Sequence, residues 1–193
     1  MKSETERFFD RLAPSWDQIN TVSDEHLNEL LKLIPLKSGM KVLDVACGTG
    51  IVTGKISDIT HNRVLGIDIS GEMIKKAEDK FQGNKNVEFR KEDFYTASYK
   101  DLDLIMIHNA YPHFLNVMEM KEQSLKMLKK GGYLVILHSI SRKELAKHHS
   151  GDRRKVSRDL GSPEEEANIY LPEFQIVKAE EDDNHYLVLL QKK

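Results

Sequence analysis

The sequence predicts an α/β domain: a doubly wound, mostly parallel seven-stranded sheet with helices on both faces and an antiparallel hairpin at its carboxyl end. Three observations carry this expectation. An apolar run, Val42, Leu43 and Val45, breaks into Gly48-Thr49-Gly50 and then into a helical pattern through Ile51, Ile56 and Ile59. That order of strand, glycine turn and helix is a nucleotide-binding first crossover, with ligand at the carboxyl end of the strand. Four further apolar runs then follow, with helix-period segments before the second, third and fifth strands, as crossover units require. Finally, Phe174–Glu180 and Tyr186–Leu190 follow one another across Glu181-Asp182-Asp183-Asn184, which reads as a closing hairpin.

Composition bounds the class. At 193 residues the chain fits one domain and buries on the order of 70% of its extended-chain surface. A net charge of −2 gives no reason to expect nucleic-acid binding, which needs a basic face. The basic patch Arg153-Arg154-Lys155 with Arg158 is flanked by Asp152 and Asp159 and reads as a solvated loop. The single cysteine excludes an internal disulfide and fits a reducing compartment. No apolar signal core or run long enough to span a bilayer is present, so a cytoplasmic protein without membrane contact is expected.

In order, residues 3–13 form an amphipathic helix, with Ser3 and Glu6 as a capping box and Phe8, Phe9 and Leu12 as its stripe. A second helix, 23–34, carries Leu27, Leu30, Leu31 and Ile34 at core spacing; together 1–38 form a helical cap. After strand one and the helix of 51–59, Val64–Ile69 reads as strand two, followed by a helix over 71–81. Val87–Arg90 is strand three, Leu102–Ile107 strand four and Tyr133–Leu137 strand five. The helix of 117–129 is expected to end in Lys129-Lys130-Gly131-Gly132 with a glycine cap. Residues 139–172 are a lid between strands five and six, with a helix start at Ser162-Pro163-Glu164-Glu165-Glu166.

Two residues decide the ligand of the glycine turn. A dinucleotide fingerprint has a third glycine where Thr53 stands, with Gly54 out of register. Asp44, at the strand end, would repel a pyrophosphate but suits a cationic amino group. Both oppose a nicotinamide-dinucleotide oxidoreductase. Asp68 lies 24 residues after Asp44, the spacing at which a crossover places an acid on ribose hydroxyls, and a carboxylate accepts two hydrogen bonds from a vicinal diol.

Asp44-Val-Ala-Cys-Gly-Thr-Gly50 resembles motif I of the class I S-adenosylmethionine-dependent methyltransferases, a Rossmann-like family, and Gly66-Ile-Asp68-Ile-Ser-x-x-Met73 resembles its motif II. The resemblance implies S-adenosylmethionine as cofactor. It places Asp44, Ala46, Cys47, Gly48 and Gly50 at the cofactor turn, Asp68 on the ribose, and Ile69 and Met73 on the adenine. Asp93 would hydrogen-bond the adenine amine and Phe94 would supply a backbone amide, and His108 and Asn109 would line the cofactor after strand four. Leu-Lys-x-Gly-Gly before strand five is similar to that family's segment there. Phe9-Asp-x-x-Ala-Pro-Ser-Trp16-Asp17 resembles the amino-terminal segment of ubiquinone-biosynthesis-type enzymes, which folds over cofactor and acceptor; alternatively Trp16 only packs.

Methyl transfer from a sulfonium needs alignment, a dry pocket and, for weak nucleophiles, a proton acceptor. The residues placed for that are Tyr111 and His113 after strand four, His138 after strand five, and His148 and His149 on the lid. One of His113 and His138 acts as general base, or His113, His138 and His149 converge on a divalent metal with an open position; the bland alternative is that they only shape the pocket. Asn109-Ala-Tyr-Pro112 lacks the features of base-methylating enzymes. The expected acceptor is a small molecule at the carboxyl edge of the sheet, under the amino-terminal and 139–172 lids. A sensor binding S-adenosylmethionine without catalysis would carry the same cofactor motifs but needs no acceptor edge rich in His and Tyr.

Overall fold

Side-chain caps and β-branched runs place the elements. The computed structural model describes residues 2–19, 21–148 and 154–193. The chain divides into two compact units, Met1–Ala97 and Ser98–Lys193.

In the first unit, α1 (Glu4–Leu12), α2 (Trp16–Ile19) and α3 (Asp24–Lys32) precede β1 (Val42–Val45), α4 (Ile51–Thr60), β2 (Val64–Asp68), α5 (Gly71–Lys80) and β3 (Val87–Lys91). Serine hydroxyls fix three helix starts: Ser3 accepts from the Glu6 amide, Ser23 from His26 and Ser70 from Met73. Each satisfies an amide that the first helical turn leaves without a partner. β2 runs parallel to both β1 and β3, with Leu43 opposite Leu65 and Gly66 opposite Phe89. All four residues of β1 are buried, so the strand that feeds the glycine turn is fixed from both faces. Gly54, out of register with a dinucleotide fingerprint, has a packing reason of its own. A Cβ there would lie 2.5 Å from the Phe81 ring, so the glycine lets α4 settle on that aromatic side chain.

In the second unit, β4 (Leu102–His108), a short 3-10 turn (Tyr111–His113), α6 (Val117–Met127), β5 (Leu128–His138), α7 (Arg142–His148), α8 (Pro163–Asn168), β6 (Phe174–Glu181) and β7 (Tyr186–Lys192) follow. β4 and β5 are parallel; β7 is antiparallel to β5 and to β6. The closing hairpin and the helix start at Ser162 stand as expected, and the structure adds a capping box of Ser162 with Glu165. The end of α6 differs. The helix stops at Met127, Leu128 is already extended, and Lys129–Gly132 belong to β5 instead of a helix cap. The added strand residues meet β4 across a register shift between Leu102 and Leu104, and Lys192 Nζ takes over the cap by donating to the Leu125 and Leu128 carbonyls. Among the described residues no helix is long and apolar enough to cross a membrane.

Candidate cofactor turn and acceptor-edge residues

Within the first unit, the chain leaves β1 through Ala46, which adopts φ 55° although it carries a Cβ, and through Gly48 (φ 55°) and Gly50 (φ 82°). A left-handed alanine is strained, and such backbone persists only where its surroundings hold it. Here the Cys47 amide donates to the Ile67 carbonyl (3.0 Å), pinning the turn to β2. Asp68 sits directly in front of the turn: its Oδ2 accepts from the Gly48 amide (2.9 Å) and its Oδ1 from the Ser70 amide (2.8 Å). Burial raises the carboxyl to about 6 against these two bonds.

Asp44 is buried, and its Oδ2 accepts from the Thr53 hydroxyl at 2.6 Å. Burial raises it to about 7, the Thr53 bond opposing. The residue that stands in place of a third glycine thus has its own task, gripping the acid at the end of β1. That pairing gave no sequence signal, because it joins a strand end to a helix. Burial likewise pushes the Cys47 thiol well up, away from the thiolate that nucleophilic reactivity needs.

The amino-terminal segment is tied to the same turn. The Trp16 indole lies over Gly48, its Nε1 3.3 Å from where a Cβ would stand, and Phe9 meets Trp16 edge-on. Asp17 accepts from the Thr49 hydroxyl (2.5 Å) and pairs with Lys80 (2.7 Å). Asp10 accepts from the Ser70 hydroxyl (2.7 Å), and Glu6 pairs with Lys91 (2.7 Å). Of the expected adenine contacts, Met73 and Phe94 are buried and Ile69 is half-buried, while Asp93 Oδ1 accepts from the Tyr95 amide (3.0 Å), which shapes the loop after β3.

Within the second unit, Asn109 adopts φ 53°. Its Oδ1 accepts from the Ser139 amide (2.8 Å), and its Nδ2 donates to the Ser139 hydroxyl (3.2 Å), which also meets His108 Nε2 at 2.7 Å. The carboxyl ends of β4 and β5 are therefore laced together by side chains. Tyr111 and His138 are fully buried. The Tyr111 hydroxyl donates to Glu166 (2.9 Å) and accepts from Tyr170 (3.2 Å). Burial pushes its pKa well above the usual phenol range, so the hydroxyl stays protonated and the structure seats it as an anchor. His138 packs edge-on against Tyr186. His113 is half-buried with Nδ1 2.8 Å from the Val156 carbonyl. His148 ends α7, but its side chain and all of His149 lie outside the described residues. Among the described residues no group of three or more His, Cys, Asp or Glu is placed to hold a metal ion; His149, the third member of the expected trio, lies outside them.

The model of a methyltransferase domain family matches residues 36–188. The chain belongs to this family. A malonyl-[acyl-carrier protein] O-methyltransferase of Acetivibrio thermocellus is 30% identical over 161 residues, 80% of this chain and 56% of its own. A demethylmenaquinone methyltransferase of Staphylococcus aureus is 26% identical over 147 residues, 72% of this chain and 61% of its own. The chain thus spans little more than half the length of these curated relatives. The N-methyltransferase NodS from Bradyrhizobium japonicum, solved with S-adenosyl-L-homocysteine, superposes with a TM-score of 0.73 over 98% of this chain and 99% of its own at 18% identity. That likeness bears on the fold, and it agrees with the expected seven-stranded, mostly parallel class. Family membership agrees with the expected class I methyltransferase.

Proposed function

We propose that this methyltransferase-family chain moves the methyl group of S-adenosylmethionine to a small-molecule acceptor. The observation that carries the reading is Asp68, a carboxyl held by the Gly48 and Ser70 amides at the mouth of a glycine turn. Each of its oxygens keeps a lone pair for a ribose hydroxyl. Asp44 offers negative charge to an α-ammonium group, Gly48 lets backbone approach the ligand, and the Trp16 indole over that glycine shields the turn from water. Ile69 and Met73 would flank an adenine, with Asp93 as a hydrogen-bond acceptor and Phe94 supplying a backbone amide. The cofactor itself supplies an electrophilic methyl on a sulfonium. For the acceptor, the carboxyl ends of β4 and β5 offer His113 as the group that removes a proton, in preference to the buried Tyr111 and His138.

The test follows formation of S-adenosylhomocysteine from S-adenosylmethionine with amine, hydroxyl, thiol and carboxylate acceptors. Acceptor-dependent turnover lost in Asp68→Ala is expected. Tight cofactor binding with no turnover on any of the four classes would instead favour a non-catalytic sensor.

A further inference from the structure

We propose that the Arg158–Glu166 ion pair is a positioning device that fixes which ring nitrogen of His113 can accept a proton; the proposal rests on the methyl-transfer reading above. A backbone carbonyl can only accept a hydrogen bond. The 2.8 Å contact between His113 Nδ1 and the Val156 carbonyl therefore places a proton on Nδ1. In the neutral ring the lone pair is then on Nε2, and the orienting bond selects the tautomer, as for a general base held by a third group.

That selection lasts only while residues 156–158 stay in register with the turn after β4. Two backbone links hold them: the Val156 carbonyl on His113, and the Arg158 amide, which donates to the Pro112 carbonyl (2.9 Å). The Arg158 side chain supplies the rest. It grips Glu166 with both terminal guanidinium nitrogens, at 2.7 and 2.8 Å, and its centre lies 4.6 Å from the centroid of the Tyr111 ring. Glu166, almost wholly buried, also accepts from the Tyr111 hydroxyl and from the Gly161 amide, both at 2.9 Å.

One carboxylate thus joins the turn that carries His113 to the segment that carries its orienting carbonyl. Burial would raise the Glu166 carboxyl, yet Arg158 and the Gly161 amide hold it below the ordinary value. A largely buried pair of this kind seldom adds much net stability, and its contacts fit a role in fixing geometry better. The planar fork and ring stacking are features that lysine cannot reproduce. Arg158 and Glu166 are positioning residues, and neither is assigned here to the reacting atoms.

Long-range proton–nitrogen NMR of protein labelled with [15N]histidine, saturated with S-adenosylhomocysteine and assigned with His113→Gln, reads the tautomer directly. Wild type is expected to show His113 protonated on Nδ1. Arg158→Gln is expected to mix in the Nε2-protonated form while the affinity for S-adenosylhomocysteine stays within about twofold, because the cofactor residues are untouched. Arg158→Lys, the milder variant should the first fail to fold, is expected to give a partial mixture. With any acceptor that wild type methylates, Arg158→Lys should lower kcat about tenfold and leave the KM for S-adenosylmethionine unchanged. An Nε2-protonated His113 in wild type, or a tautomer unmoved in folded Arg158 variants, would overturn the proposal. Expected NMR results beside wild-type protein that methylates none of the four acceptor classes would count against methyl transfer and leave the clamp standing.

Discussion

Binding of S-adenosylhomocysteine at pH 6.5 should expel about one proton, and the two buried acids of the glycine turn are its source. Burial raises Asp44 to about 7 and Asp68 to about 6. At pH 6.5 the first is then about three-quarters protonated and the second about one-quarter, which sums to about one proton. A ligand whose ammonium faces Asp44, and whose ribose diol donates to Asp68, favours both carboxylates and drives that proton out. The ligand's own amine is already protonated at this pH and contributes little. Calorimetric titrations in two buffers of different ionisation enthalpy give the number as the slope of apparent enthalpy on buffer enthalpy. The expected slope is about one proton at pH 6.5 and close to none at pH 8.5, where both acids are already ionised. Asp44→Asn should remove about three-quarters of the release. Binding with no buffer dependence at pH 6.5, or with proton uptake, would refute this electrostatic account of the turn.

Other outcomes follow from the same contacts. Thr53→Val leaves the Asp44 carboxyl without its 2.6 Å hydroxyl donor, which should cost about 1–3 kcal/mol in urea denaturation; an unchanged midpoint would show that the bond contributes nothing. Gly54→Ala drives a methyl to 2.5 Å from the Phe81 ring, for a loss of about 1–3 kcal/mol that a second change, Phe81→Leu, partly restores. A neutral Gly54→Ala would contradict the packing reason given for that glycine. In ligand-free protein, folded Asp44 keeps a proton up to about pH 7 while the unfolded chain releases it near 3.8. Stability therefore falls as pH rises through that window. Asp44→Asn should gain on wild type from pH 4 to 7, at no more than about 1.4 kcal/mol per pH unit; a difference flat with pH would dispose of the raised acid.

Local chemistry was legible in the sequence where one residue and its near neighbours suffice. Ser3, Ser23, Ser70 and Ser162 cap helices because a hydroxyl three residues before an amide lies within its reach. The strand–glycine turn–helix and the acid of β2 could be placed for similar reasons. Long-range pairings were not legible. Nothing near Thr53 tells that it faces Asp44, and nothing near Glu166 tells that Tyr111, 55 positions away, is its partner. Tyr111 and His138 read as acceptor-edge residues because they follow strands four and five, yet their rings turn into the interior of the second unit. Which way a residue at a strand end points depends on its packing, and strand alternation alone does not supply it. The early start of β5 was masked by Gly131, which adopts φ 76° inside the extended stretch where a helix cap reads equally well.

The most direct measurement is equilibrium binding of S-adenosylhomocysteine by calorimetry for wild type and Asp68→Ala, each first checked for folding. Tight one-to-one binding in wild type, weakened at least about a hundredfold by loss of the two charge-assisted contacts in the variant, is the result predicted. Absence of binding in folded wild type, or equal affinity in both proteins, would contradict the claim that this glycine turn and its acid hold the cofactor.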